Sequence, residues 1–379
     1  MKKIAFISFL KGDDWGGSEE LWSQTALHLR KLGYRIGVNR HLGGSKHKRL
    51  KQLHAAGCVM LHGHKRGRWR QHLITVLRPR RFFRRLWPML YTEPLDLRLW
   101  DLVVLSQGEF FQGMEIMQEC MHHSIPYVLV VEACRPWGIT VARHHSDQLR
   151  QCFEGAAILA FVSEENLALA RAMLASPLKH AVIVRNPFLV SYGASPRWPS
   201  ENVFRLACVA RLEFQDKGQD ILFEVLAQEK WRRRKLVVTL VGDGPDRETA
   251  ERLKKLRKVH SITIAGQRDG IESVWAKHHA LILPSRGEGL PLAIVEAMLC
   301  GRPCIVTDVG GNAELLEDGV TGFIAPAATV KHVDAALERA WERRGKWREM
   351  GRRAATHVRK AVPRDPAKVF AEKLMKLAV

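Results

Sequence analysis

The stretch LILPSRGEGLPLAIVEAM, residues 281–298, combines an apolar strand, a short glycine-containing loop and the start of a helix. Pro291 suits the first turn of that helix. Loop amides at a helix N-terminus, together with the helix dipole, favour phosphate or sugar oxygens. Glu288 lies in the loop and Glu296 about one and a half turns into the helix, so two carboxylates are predicted to bracket a polyhydroxylated ligand. The alternative is a loop charge and a solvated helix residue.

Short apolar runs alternate with helical patterns along the whole chain. Strands are predicted at residues 4–10, 102–105, 127–131, 157–162, 181–184, 204–210, 236–241, 261–265, 280–283 and 304–307. Continuously apolar strands are typical of parallel sheets that helices cover on both faces. A helix is predicted at 19–32, and Gly33 would end it. This repeated β-α-β order predicts an α/β fold with two doubly wound, Rossmann-like domains that face an interdomain cleft.

The domain boundary is predicted where proline, glycine and serine residues interrupt the pattern, between residues 186 and 202. The sequence accordingly predicts a first domain at 1–190, a linker at 191–202 and a second domain at 203–360. Residues 361–379 are predicted to form a C-terminal helix that could pack back on the first domain.

The composition indicates a globular protein. Hydrophobic residues make up 46% and charged residues 26% of the 379 residues, which excludes extended disorder. The seven cysteines show neither CxxC spacing nor a disulfide framework, which favours a reduced, intracellular protein. The apolar run at 4–10 is too short for a signal peptide, and no run reaches the ~18 residues of a membrane span. We therefore expect a cytoplasmic protein.

The charge is strongly positive and unevenly distributed. The net charge is +21, and residues 1–100 hold 21 basic and 6 acidic residues. Residues 62–90 contain nine Lys or Arg and no acidic residue. On a helical wheel, Phe82, Phe83 and Leu86 lie opposite the arginines, as in a helix at the surface of an anionic membrane. The alternative is that the apolar side packs on the first sheet and the arginines are solvated. No nucleic-acid-binding module accompanies the charge, so no nucleic-acid partner is predicted.

Residues 281–298 resemble the E-x7-E signature of the family 4 retaining glycosyltransferases, which have the two-domain GT-B fold. Further resemblances follow in the family's order at 209–212, 216–218, 241–245 and 310–323. The likeness is close over 204–330. It implies an acceptor-side first domain and a second domain that binds a nucleotide sugar.

The resemblance implies a retaining transfer of a sugar from a nucleoside-diphosphate sugar, most simply UDP- or GDP-linked, with no further cofactor. The acceptor would be a glycan, a lipid-linked molecule or another cell-envelope or natural-product acceptor, reached in the cytoplasm or on the inner face of the plasma membrane. No Asp-x-Asp motif is present, and His62 and His64 have no further ligand nearby, so no metal is predicted. The alternative is a catalytically silent GT-B protein that binds a nucleotide sugar or an anionic surface as an assembly factor.

The resemblance also implies roles for individual residues. Arg211 and Lys217 would hold the donor diphosphate, where fixed cations favour the transition state because the leaving group gains charge. Glu288 would bind hydroxyls of the donor sugar and Glu296 the ribose. Further donor contacts are implied for Gly16, Gly17, Arg268, Gly289, Leu290 and Leu292.

Glu132 is the position where the sequence departs from the family. Family members usually carry a histidine at the end of the strand that here reads IPYVLVVE, residues 125–132. His122 and His123 come too early to replace it. Glu132 is predicted to act catalytically, in contact with the acceptor or the transferred sugar. The alternative is an ion pair with Arg135 that stabilises the loop.

Overall fold

The computed structural model describes residues 2–10, 15–40, 47–62, 92–108, 110–135, 146–200 and 202–377. The chain forms two compact units. The first comprises Met1–Val162, Leu167–Asn186 and Asp365–Val379, and the second comprises Ser163–Asn166 and Pro187–Arg364. The predicted basic segment 62–90 lies outside the described residues, apart from His62.

The first unit contains an eight-stranded parallel sheet with the order β4-β3-β2-β1-β5-β6-β7-β8. Its strands are β1 Lys3–Ser8, β2 Arg35–Arg40, β3 Val59–His62, β4 Thr92–Pro94, β5 Leu102–Gln107, β6 Tyr127–Val131, β7 Ile158–Phe161 and β8 Ala181–Ile183. The helices described between them are α1 Ser18–Lys31, α2 Lys48–Ala55, α3 Met114–His122, α4 Ser146–Glu154 and α5 Glu164–Leu174. The strand order reverses between β1 and β5, which makes the carboxyl ends of these strands the switch point of the sheet.

Two hydrophobic clusters cover the two faces of this sheet. Ala5 and Ile7 belong to one cluster, and Ile4 and Phe6 belong to the other. This is why the strands read as continuously apolar, since both side-chain directions are buried. Helix α14, Pro366–Leu377, contributes to the second cluster through its apolar face.

The second unit contains a six-stranded parallel sheet with the order β11-β10-β9-β12-β13-β14. Its strands are β9 Phe204–Val209, β10 Leu236–Val241, β11 Ile262–Gly266, β12 Ala280–Leu283, β13 Cys304–Thr307 and β14 Gly322–Ala325. Its helices are α6 Phe214–Lys217, α7 Gln219–Leu226, α8 Glu229–Arg232, α9 Arg247–Leu256, α10 Ile271–Trp275, α11 Leu292–Leu299, α12 Val330–Glu342 and α13 Trp347–Ala361. Here the order reverses between β9 and β12.

The predicted doubly wound α/β architecture is therefore confirmed in both units. All ten predicted strands are present, with bounds that differ by at most two residues at either end. Four strands were missed, namely β2, β3, β4 and β14. Their sequences are short or carry polar residues and proline, so no apolar run marks them.

The segment predicted as a linker packs on the second unit. The Arg302 guanidinium donates to the carbonyls of Pro196 and Arg197, and the Tyr192 hydroxyl donates to the Arg359 carbonyl at 2.7 Å. Residues 187–202 thus count with the second unit, whereas residues 365–379 count with the first. In the first unit, the Thr25 hydroxyl donates to the Ala367 carbonyl at 3.2 Å.

Candidate functional site

The loop between β12 and α11 carries Glu288 at the switch point of the second sheet. Glu288 is 7% exposed. The Ser285 hydroxyl donates to Glu288 Oε1 at 2.8 Å, and the Thr307 hydroxyl donates to the Ser285 carbonyl at 2.6 Å. A loop fixed in this way presents its carboxylate in one orientation. Pro291 stands at the N-cap of α11, one residue before the predicted position.

Lys217 lies opposite this carboxylate. It ends α6, and Lys217 Nζ lies 2.7 Å from Glu288 Oε2. Gly218 follows with a positive φ of 61°, and a Cβ there would lie 2.1 Å from the Pro284 carbonyl oxygen. Only glycine allows this close approach of the two loops. The structure thus brings together the cation predicted for the diphosphate and the carboxylate predicted for the sugar.

Glu296 is buried rather than solvated, so the predicted alternative of a solvated helix residue is wrong. It is 3% exposed, because all but one residue of α11 are buried. Its Oε1 accepts a hydrogen bond from the Leu189 amide at 2.9 Å. One carboxylate oxygen of Glu296 therefore anchors the segment that begins the second unit.

The other residues of the second unit that the sequence predicts for the donor site lie along the same edge of the sheet. Gly289, Leu290 and Leu292 lie at the entrance to α11, and the Gly311 amide donates to the Gly289 carbonyl at 2.7 Å. Arg211 and Arg268 are exposed and follow the ends of β9 and β11. Because parallel strands share the direction of their carboxyl ends, both arginines lie at the edge that carries Glu288.

Arg286 and Asp220 belong to this region and were missed by the sequence reasoning. The Arg286 guanidinium holds the Asp220 carboxylate through two bonds of 2.7 Å. Neither residue stands out in the sequence, because a charged residue in a loop or in the first turn of a helix is usually solvated.

In the first unit, Gly16 and Gly17 connect β1 to α1, and Gly17 is the N-cap of the helix. The residue that the sequence reasoning missed here is Glu19. The Ser8 hydroxyl donates to Glu19 Oε1 at 2.6 Å, and the buried Arg40 side chain lies 3.3 Å from Glu19 Oε2. Burial raises the pKa of Glu19, while the hydrogen bond from Ser8 and the charge of Arg40 act in the opposite direction.

Glu132 lies directly after β6 and is 8% exposed. Asn186 Nδ2 donates to Glu132 Oε2 at 2.7 Å. Oε1 has no hydrogen-bond partner within the described part of the chain. The pKa of Glu132 is raised to about 8, chiefly because the side chain is buried. The charge of Glu19 also acts to raise this pKa, whereas the hydrogen bond from Asn186 acts to lower it. The contacts of Glu132 among the described residues do not include the ion pair with Arg135.

The described residues contain no group of three or more His, Cys, Asp or Glu side chains placed to hold a metal ion. None of the helices that the structure describes is long and apolar enough to cross a membrane.

Part of the second unit is similar in sequence to known proteins. Residues 203–343 match the family model "Glycosyl transferases group 1". The matched segment lies within the second unit. The alpha-D-kanosaminyltransferase of Streptomyces kanamyceticus is 34% identical over 127 residues, which are 33% of each chain. The N-acetyl-alpha-D-glucosaminyl L-malate synthase of Bacillus anthracis is 33% identical over 120 residues, 31% of this chain and 32% of that one. The chain thus spans about a third of the length of these curated relatives.

The solved structures extend the likeness to the whole fold. Anabaena Alr3699/HepE in complex with UDP and glucose has a TM-score of 0.75 and 19% identity, over 99% of this chain and 100% of that one. At this identity the likeness shows the fold, which is GT-B.

Proposed function

We propose that the protein is a retaining glycosyltransferase that moves a sugar from a nucleoside-diphosphate sugar to an acceptor hydroxyl. The observation that carries this proposal is the contact of Lys217 with Glu288 at the switch point between β9 and β12, inside the matched segment. The retention of configuration at the anomeric carbon is proposed from the resemblance of residues 281–298 to the E-x7-E signature. UDP is the first nucleotide to test, because Anabaena Alr3699/HepE was solved with UDP and glucose.

The chemistry requires stabilisation of the departing diphosphate. As the bond between the sugar and the phosphate oxygen breaks, negative charge grows on the diphosphate, and Lys217 and Arg211 supply positive charge to it. Glu288 accepts hydrogen bonds from sugar hydroxyls and Glu296 from the ribose. The N-terminus of α11 adds the positive end of the helix dipole. The proposed reaction needs neither a metal nor a further cofactor.

Lys217 and Glu288 neutralise each other while no donor is bound. Donor binding then exchanges one ion pair for two sets of contacts, in which the lysine turns to the diphosphate and the carboxylate to sugar hydroxyls. This exchange avoids the cost of leaving a buried carboxylate without a partner.

The acceptor side is assigned to the first unit. We propose that Glu132 contacts the acceptor or the transferred sugar, since its Oε1 can exchange a hydrogen bond with a hydroxyl. The acceptor class proposed is a glycan, a lipid-linked molecule or another cell-envelope or natural-product acceptor. The protein would act in the cytoplasm, with residues 62–90 on an anionic membrane.

A catalytically silent GT-B protein is the second candidate, because Glu132 replaces the family's histidine. Thermal-shift measurements with UDP, GDP, ADP and their sugars, followed by transfer assays with the sugar that binds, separate the two. A nucleotide at about 100 times its Kd adds about 2.7 kcal/mol, which raises Tm by about 5 °C or more. Donor binding without transfer to any glycan or lipid-linked acceptor would favour the silent protein. If no nucleotide raises Tm, the transferase proposal fails, and only a silent protein that binds an anionic surface remains.

A further inference from the structure

Arg286 joins the two loops that carry Lys217 and Glu288. Its Nη1 and Nη2 each donate to one oxygen of Asp220 at 2.7 Å, and Nη1 also donates to the Phe214 carbonyl at 2.6 Å. The contact therefore reaches both ends of the segment 214–220, which holds Lys217 at its centre. The hydrogen bonds to Asp220 raise the pKa of Arg286.

The backbone adds a second connection beside the side-chain contact. The amides of Arg286 and Gly287 both donate to the Asp216 carbonyl, at 2.7 and 3.1 Å. Asp216 directly precedes Lys217, and Gly287 directly precedes Glu288. The lysine and the glutamate are thus each one residue away from the connection between their loops.

We propose that Arg286 is a positioning residue of the donor site, whose two-pronged contact with Asp220 fixes the separation of Lys217 and Glu288. This inference rests on the proposed function, because that separation has to match the distance between the diphosphate and the sugar of a donor. Among the described residues, the hydrogen bonds and the ion pair of the Arg286 side chain go to Phe214 and Asp220 and not to Lys217 or Glu288, so it acts through the loops.

The geometry requires arginine rather than lysine. A guanidinium forms two parallel bonds to a carboxylate and fixes its orientation, whereas an ammonium is a point charge on a flexible stem. Arg286→Lys would keep the charge but lose the paired bonds. The two loops would then remain attracted to each other while their relative position became less defined.

The test measures nucleotide affinity and transfer kinetics in Arg286→Met, Arg286→Lys and Asp220→Asn. The probe is whichever of UDP, GDP and ADP raises the Tm of the wild type most. We expect each substitution to raise the Kd for this diphosphate and the KM for its sugar about tenfold. The double variant Arg286→Met/Asp220→Asn should be no worse than Arg286→Met alone, because both changes remove the same contact.

Arg339 provides a matched control in the same unit. It holds Asp318 through bonds of 2.7 and 3.2 Å and donates to the Ile324 carbonyl at 2.8 Å, which repeats the contacts of Arg286 away from the β9–β12 switch point. Arg339→Met should lower Tm to a similar extent and leave Kd and KM unchanged. If Arg286→Met fails to fold, Arg286→Lys against Arg339→Lys gives the same comparison.

The possible results separate the two proposals. If the wild type binds a nucleotide and the Arg286 variants match the Arg339 control in Kd and KM, the positioning role is wrong and the proposed function stands. If the wild type binds none of the three diphosphates, the proposed function fails at the first step. A tenfold loss confined to the Arg286 and Asp220 variants supports the positioning role.

Discussion

Replacement of Glu132 by glutamine should make the protein more stable at alkaline pH and leave its stability unchanged at acidic pH. Glu132 is buried after β6, its one hydrogen bond within the described residues comes from a neutral amide, and its pKa is raised from 4.5 to about 8. At pH 5 the wild-type side chain is protonated when folded. Glutamine resembles that neutral form in size and still accepts the hydrogen bond from Asn186.

The sign and size of the effect follow from proton binding. Between pH 4.5 and 8 the folded protein keeps a proton on Glu132 that the unfolded chain has released. The free energy of unfolding therefore falls as pH rises, by about 1.4 kcal/mol per pH unit. Over the whole interval the loss reaches at most about 5 kcal/mol, and it becomes constant above pH 8. The glutamine variant lacks this loss.

Urea unfolding of the wild type and Glu132→Gln from pH 5 to pH 9 measures this difference directly. The matched control is Glu115→Gln, because Glu115 is an exposed acid at the start of α3. We expect the two Glu132 curves to coincide near pH 5 and to separate steadily up to pH 8, while the control follows the wild type. A difference in unfolding free energy that stays constant from pH 5 to pH 9 would refute the buried, protonated carboxyl.

Three further predictions concern the donor site, the acceptor side and the basic segment. Arg211→Ala and Lys217→Ala should each abolish most transfer, and normal turnover in both variants would exclude the diphosphate role. Only Lys217→Ala should also lower the free energy of unfolding, by about 2 kcal/mol, because it leaves buried Glu288 without its cation. In transfer assays Glu132→Gln should lose about 10²-fold activity if a proton moves, with diphosphate affinity unchanged or slightly improved; full activity would remove Glu132 from the site. The protein should co-sediment with anionic liposomes at low salt and dissociate as salt rises, because each basic residue near the surface contributes about 1 kcal/mol. Binding should end when glutamate replaces Arg80, Arg81, Arg84 and Arg85. Equal binding to neutral liposomes at any salt would contradict an electrostatic attraction to the membrane.

The sequence predicted those strands whose apolar side chains alone explain their burial. Strand β2 shows why others were missed. It lies inside the sheet between β1 and β3, yet it contains Asn39 and Arg40. The Asn39 amide donates to the Leu61 carbonyl at 2.9 Å, and Arg40 pairs with the buried Glu19. Such partners come from other elements, so a polar strand in the sheet cannot be distinguished from a loop by its own residues.

In the candidate site, too, some features follow from local sequence and others do not. The position of Glu288 in a loop before a helix follows from local sequence, because glycine and proline mark the turn. The partners of the site residues do not. Glu132 is bonded to Asn186, 54 positions away, and Glu296 to the Leu189 amide, 107 positions away. Contacts over such separations depend on the finished topology, and no spacing rule within one segment encodes them.

The partners also separate the two carboxylates, Glu288 and Glu132, in their charge. Glu288 faces a lysine, so it is held next to a positive charge. Glu132 accepts its hydrogen bond in the described part of the chain from a neutral amide, and Glu19 adds negative charge nearby, so burial keeps its proton at neutral pH. A protonated carboxyl donates one hydrogen bond through its O–H, as an imidazole does through its N–H. Below about pH 8, Glu132 therefore supplies at the end of β6 a hydrogen-bond donor, as would the histidine that the resemblance implies for this position.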